Sequence, residues 1–411
     1  MAKIVPFAAI RPAKEEASSV AALPYDVYDR EEARQEALAH PKSFLNIDRP
    51  ETQFEPEHDI YAPDVYEKAS SMIREWLEEG IFVREEKEAF YLYELTMNGR
   101  SQTGLVACAG VDDYLNGTIR RHENTRADKE QDRIRHVDVT GMQTGPIFLA
   151  YRALADVNAL IAKIKENSCD FDFTCEDGVR HRGWTIGDEN DIRFLQEAFQ
   201  GKTLYIADGH HRAASAVKAA LMRRERHPES GEDAPFNSFL SVLFPDEELM
   251  IMDYNRLVAD KAGLSEEEFL EKLGEVCEIA PCDQIARPEK KGQFGLFTDG
   301  KHYLCTFREK YLSDDPVKGL DVSILQDNVL GPILKIGDPK VDERISFIGG
   351  IRGLEELTGR AAGCGGVSFA MYPTSIAELF AVADAGRLMP PKSTWFEPKL
   401  RSGLFLHDIG C

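Results

Sequence analysis

This 411-residue chain has no pair of cysteines at C-x-x-C spacing. Its eight cysteines, Cys108, Cys169, Cys175, Cys277, Cys282, Cys305, Cys364 and Cys411, are scattered. Cys169 with Cys175, or Cys277 with Cys282, could serve a metal, but neither has a matching second pair at finger spacing, so they read as reduced thiols. Basic charge is scarce too: 49 Lys and Arg stand against 71 Asp and Glu, a net charge of −22. Such a balance argues against non-specific binding to nucleic acid or to an anionic membrane. It leaves room for a small anion in a local basic pocket. No run approaches the ~18 apolar residues of a membrane span. The opening "MAKIVPFAAIRPAKEE" turns charged before a signal-peptide h-region can form. The expectation is a soluble, cytoplasmic protein. Internal repeats, low-complexity tracts and a helical H-E-x-x-H metal motif are also missing from the sequence.

What is present suits folded cores: 43% hydrophobic and 29% charged residues, over a length that suggests two or three domains. Elements of both kinds alternate, and the predicted class is α+β. Asp29 with Glu32 opens a helix that Pro41 ends, and Pro63 to Glu79 carries Val65, Ala69, Met72, Ile73, Trp76 and Leu77 on one helical face. "AFYLYEL" and "QTGLVACAGV" predict two strands around an Asn98-Gly99 turn. "IRRHENTRADKEQDRIRHVD" is charged and helical from about residue 124, and "TGPIFLAY" is a buried strand. Ser265 and Glu268 form a capping box, and Asp299-Gly300 turns a hairpin. We expect a helical N-terminal extension over 1–100, a central domain over 101–260, and a C-terminal α/β lobe over 261–411.

The densest polar cluster lies in "TLYIADGHHRAASAVKAAL", Thr203 to Leu221, where a predicted strand turns at Asp208-Gly209 into a helix running to Arg226. A strand–glycine–helix junction offers unpaired N–H groups and the positive end of a helix dipole, which suits phosphate. Gly209 permits close approach, and His210, His211 and Arg212 can donate to phosphate oxygens. The plainer alternative is a capped turn with structural histidines.

This strand-"DGHHR"-helix pattern resembles the signature of the ParB/sulfiredoxin superfamily, and within it most closely the nucleotide-dependent free serine kinases. Two further segments follow the same order. "LVACAGVDDYLNGTIRRHENT" is similar to their N-terminal strand and "HE" pair, and "GRLMPPKSTWFEP" to their C-terminal "PK(S/T)T" segment. The chain as a whole, with "PYDVYDREEA" near its start, resembles a widespread bacterial family of unknown function. The resemblance implies a ParB/sulfiredoxin-like mixed sheet and a phosphoryl transfer between a nucleotide, ADP or ATP, and a small hydroxy amino acid, L-serine, with Mg²⁺ as cofactor. It implies Glu123 as catalytic base with His122 beside it. Asp208, Gly209, His210, His211 and Arg212 would form the nucleotide and phosphate loop. Lys392, Ser393 and Thr394 would line the substrate side. Arg126, with Arg120 and Arg121, would add positive potential near Glu123.

The departures are specific. The serine kinases lack a counterpart of residues 1–100, and Trp395 and Phe396 follow "KST" where they carry more polar residues. Sulfiredoxin carries a Cys in the turn where this chain has His210, which speaks against its redox chemistry. Partition-type ParB proteins need a basic surface that this charge denies. Two alternatives stay open: a metal-dependent phosphatase or hydrolase using His122, Glu123, His136, His210 and His211, and a non-catalytic nucleotide-binding regulator. The sequence leaves the direction of transfer and the oligomeric state open.

Overall fold

The computed structural model describes residues 2–125 and 127–410. The chain divides into two compact units, Met1–Leu249 with Pro398–Cys411, and Met250–Glu397. These differ from the boundaries at 100 and 260 read from the sequence. The reason is strand pairing: residues before 100 are built into the first unit's sheet, and the strand at Tyr254–Val258 pairs within the second unit.

The first unit is organised by a nine-stranded mixed sheet. In chain order its strands are β1 (Ile4–Val5), β2 (Phe90–Met97), β3 (Arg100–Gly110), β4 (Ile119–Arg120), β5 (Ile147–Tyr151), β6 (Phe171–Thr174), β7 (Arg180–Ile186), β8 (Leu204–Asp208) and β9 (Ser238–Pro245). In space they run β4-β8-β5-β9-β3-β2-β7-β6, and β1 pairs with β3. The β4–β8 and β5–β9 pairs are parallel and the rest antiparallel. Asn98 and Gly99, both at positive φ (52° and 78°), make the two-residue turn that sets Met97 opposite Arg100. Every residue of β5 and of β9 is buried, the pattern of strands covered on both faces.

Three helices pack near the end of the sheet that matters here: α1 (Pro63–Glu78), α2 (Ala127–Thr140) and α3 (His210–Arg226). Proline at its first turn starts α1, and Val65, Ala69, Met72, Ile73 and Trp76 bury its predicted face against Phe44, Ile47 and Phe82. The small residues Ala213, Ala216 and Ala220 let α3 lie close on the sheet core of Leu149, Ile206 and Phe239. The chain's end returns to this unit, where Leu406 bridges Ile10 and His407–Asp408 pairs with Met142–Gln143.

The second unit carries a six-stranded sheet of β10 (Tyr254–Val258), β11 (Cys277–Cys282), β12 (Gln293–Thr298), β13 (Lys301–Phe307), β14 (Ile345–Gly349) and β15 (Val367–Met371), in the order β11-β13-β12-β15-β10-β14. All its pairings are antiparallel, so this unit is α+β rather than the α/β lobe expected. Asp299-Gly300 turns the β12–β13 hairpin, and Ser265 and Glu268 form the predicted capping box.

Candidate active site

The polar cluster of the sequence sits where β8 ends. Its last residues do not run straight. Ile206 faces Leu149 on β5, yet Asp208 faces Phe148, so Ala207 is an extra residue that bulges the strand just before the turn. Gly209 follows at φ 87° and ψ 30°, a left-handed conformation that glycine adopts without strain. Helix α3 then begins at His210 with no side-chain cap and no acidic residue in its first turn. Its positive end is therefore not neutralised by its own first turn.

The short edge strand β4 places the second segment. Ile119 and Arg120 pair in parallel with Leu204 and Tyr205, so the chain that leaves β4 travels beside the end of β8. His122 and Glu123 thereby arrive next to the loop at 208–210, across 85 residues of sequence. The rings of His122 and His210 meet edge to face at 4.5 Å, and Glu123 Oε2 lies 3.9 Å from His210 Nδ1. Both histidines are buried, whereas the Glu123 side chain is 40% exposed.

Charge in this cluster is set by burial. Burial pushes the His122 imidazole down to about 4, against the pull of Asp208. Burial and the neighbouring His122 push His210 well below the usual histidine range. Both rings are neutral near pH 7, so the Glu123–His210 contact is not an ion pair there, and His210 Nε2 has no hydrogen-bond partner among the described residues. Asp208 behaves oppositely. Burial raises its carboxyl, but Lys399 and Arg212 outweigh burial and hold it far below the usual carboxylate range. Lys399 Nζ donates to Oδ2 at 2.8 Å and the Gly209 N–H donates to Oδ1 at 2.7 Å. The Arg212 side chain folds back over the glycine: a Cβ on Gly209 would stand 3.2 Å from its Nε. Its Nη1 donates to the Pro146 carbonyl at 2.8 Å, just ahead of β5.

The structure thus gathers His122, Glu123, Asp208, Gly209, His210 and Arg212, with His211 half-buried in the first turn of α3. Arg126 lies outside the described residues. Arg121 turns to Tyr114, its Nη1 3.4 Å from the phenol oxygen. His136, grouped with a metal set in the hydrolase alternative, is buried elsewhere with Nε2 2.8 Å from the Ile47 carbonyl. Among the described residues no group of three or more His, Cys, Asp or Glu side chains could hold a metal. Lys392, Ser393 and Thr394 belong to the second unit. There Lys392 takes a positive φ of 59°, and Ser393 Oγ donates to the Pro390 carbonyl at 2.7 Å. Lys399 was missed from the sequence. It lies 191 residues from Asp208 in a tail that reads as irregular, and nothing local marks it.

Solved structures of similar shape include a free serine kinase variant in complex with AMP, 14% identical over 72% of this chain and 92% of that chain, at a TM-score of 0.34. They also include a conserved hypothetical protein from Pyrococcus furiosus, 15% identical over 74% of this chain and 94% of that one, at 0.33. A third is SbnI with a C-terminal truncation from Staphylococcus aureus, 14% identical over 73% and 87%, at 0.37. No curated protein matches the sequence. The family model described as "Protein of unknown function (DUF1015)" matches residues 4–323, and the chain belongs to that family.

Proposed function

We propose that the protein is a phosphotransferase that moves a phosphoryl group between a nucleotide and a small hydroxy amino acid, with L-serine and O-phosphoserine as the pair. The observation that supports this reading is the convergence, within one unit, of Glu123 on the Asp208–Arg212 loop, 3.9 Å from His210. It joins an exposed carboxylate to an uncapped helix start, the two parts that the resemblance in "RRHENT" and "DGHHR" assigns to base and phosphate grip.

In this reading the first turn of α3 and the Arg212 guanidinium hold the donor phosphates, by N–H groups that have no acceptor within the helix and by fixed positive charge. Phosphoryl transfer needs positioning and neutralised charge more than covalent help from the protein. Glu123 takes the proton of the acceptor hydroxyl as its oxygen bonds to phosphorus and the bond to the nucleotide's leaving oxygen breaks. A neutral His210 suits that role, because it packs beside Glu123 without pairing its charge. Asp208, locked by Lys399 and the Gly209 N–H, keeps the loop in shape rather than titrating. Mg²⁺, when bound, would be held chiefly by the donor phosphates and would screen their charge, since both Asp208 oxygens are committed to Lys399 and the Gly209 N–H. For Lys392, Ser393 and Thr394 a substrate role rests on the resemblance of "PPKST" alone.

The test is incubation with L-serine, Mg²⁺ and either ADP or ATP, and the reverse with O-phosphoserine and AMP or ADP, followed by mass. The expected outcome is O-phosphoserine, or its loss with matching nucleotide formation. Nucleotide binding with no transfer in any of these mixtures would leave a regulator instead.

A further inference from the structure

A second feature of the first unit lies beside the loop and is not used above. It is a narrow pocket, open at its mouth, whose lining includes Tyr25, Asp48, Arg133, Gln143, Thr144 and Arg212. The first two come from the segment that the serine kinases lack, and Arg212 comes from the phosphate loop.

The lining charges sort themselves by their partners. Arg133 is answered by Asp132, whose carboxylate lies 2.8 Å from its guanidinium, and it also donates to the Asp48 carbonyl. Burial pushes the Tyr25 phenol up to about 12, so it stays a neutral donor. Burial and the charge of Arg133 lower the His136 ring, so it adds no cation near pH 7. Two further charges line the pocket. The Asp48 carboxylate is 3% exposed, accepts from Thr144 Oγ1 at 2.9 Å, and shares the charge of Arg133 with Asp132, which holds that guanidinium directly. The Arg212 guanidinium faces Asp208, whose carboxylate Lys399 already pairs, and it donates a hydrogen bond to the Pro146 carbonyl. A buried carboxylate is costly unless a cation meets it.

We infer that this pocket binds the zwitterionic head of the amino-acid substrate, with Asp48 receiving the α-ammonium and Arg212 facing the α-carboxylate. One anion and one cation sharing a small pocket suit a zwitterion better than either single charge: Asp48 repels a second phosphate, and Arg212 repels a simple amine. A guanidinium has five N–H donors and Pro146 uses one, so Arg212 serves both the donor phosphates and the carboxylate. The inference rests on the phosphotransferase reading for the substrate's class, and it makes residues 20–50 the source of selectivity.

Calorimetry in the presence of ADP, with L-serine, ethanolamine and glycerate as titrants, tests it on the full chain. Ethanolamine lacks the carboxylate, and glycerate carries a hydroxyl in place of the ammonium. Wild-type protein should bind L-serine at least 10-fold more tightly than either. Asp48→Asn should bring L-serine and glycerate within about 2-fold of each other while ADP affinity stays unchanged. Thr144→Val, which frees the Asp48 carboxylate from its anchor, should lose 3- to 10-fold of the preference and stands in if Asp48→Asn does not fold. An undiminished preference in both variants overturns the inference, as does a protein that binds ADP but none of the three compounds. L-Serine binding through Asp48 without transfer upholds the pocket and overturns the phosphotransferase reading; transfer with an indifferent Asp48 does the reverse.

Discussion

Replacing Glu123 by Gln removes the proton-accepting carboxylate and keeps the shape of the side chain. The side chain is 40% exposed, and its 3.9 Å contact with a neutral His210 is no ion pair. Thermal unfolding of the variant measures any stability cost separately from catalysis. Removing a general base costs about 10²- to 10⁴-fold, equivalent to about 3–5 kcal/mol of barrier. The two effects are measured separately, so one variant gives a clean answer. Steady-state kinetics by mass detection of O-phosphoserine should show kcat lowered at least 100-fold. Calorimetry should show ADP or ATP binding within 2- to 3-fold of wild type, because the phosphate grip lies in α3 and Arg212. A Glu123→Gln enzyme that retains more than a third of wild-type kcat refutes the base assignment. One that loses nucleotide affinity in proportion to its activity refutes the division of labour between the two segments.

The buried His122 predicts a pH-dependent stability. Its folded pKa of about 4 lies below the ordinary 6.5, so the unfolded chain binds the extra proton between those values and stability falls as pH drops through that window. At pH 5 the penalty from this one ring is about 2 kcal/mol, so in urea unfolding the loss from pH 7.5 to pH 5 should shrink by about that amount in His122→Gln, with His210 and the other buried histidines, His136, His181 and His407, contributing to the remainder; equal losses in both proteins would count against the buried neutral ring. Gly209→Ala forces a left-handed alanine, costing about 1–2 kcal/mol, and puts its Cβ 3.2 Å from Arg212 Nε. Nucleotide affinity should fall at least 10-fold with a modest drop in melting temperature, and unchanged affinity would move the phosphate grip away from this loop.

The strand–glycine–helix unit was legible in the sequence because it is local. Alternating and helical periodicities meet at Asp208-Gly209, and the observed Leu204–Asp208 strand and His210–Arg226 helix lie within a residue or two of that reading. The turns at Asn98-Gly99 and Asp299-Gly300, and the capping box at Ser265, were legible for the same reason. The first hundred residues were misread as a helical extension. Strand β1 is only two residues long and pairs with β3 about 100 residues on, and β7 joins β2 from about 90 residues away, so beyond the Asn98-Gly99 hairpin no local pattern reveals the sheet. The bulge at Ala207 has no residue signature, since it arises from pairing with β5. Lys399, Asp48 and Thr144 were invisible because their partners lie 191 and 96 residues away.

That contrast separates two kinds of specificity. Gripping a phosphate uses backbone N–H groups and one guanidinium, all supplied within five consecutive residues, so the signal survives in a short motif. Choosing an amino acid by its charges needs opposite charges at fixed separation, and in the proposed pocket those come from Asp48 near one end of the unit and Arg212 near its middle. The edge strand β4 links the two tasks, because its two pairings with β8 set Glu123 beside the grip. An acceptor pocket built from a separate segment can change its lining without disturbing the loop, since Asp48 is fixed by Thr144 and its backbone by Arg133, not by any residue from 208 to 211. On the proposed reading, selectivity is to be sought in residues 20–50 and 133–147, and phosphate chemistry in 208–212.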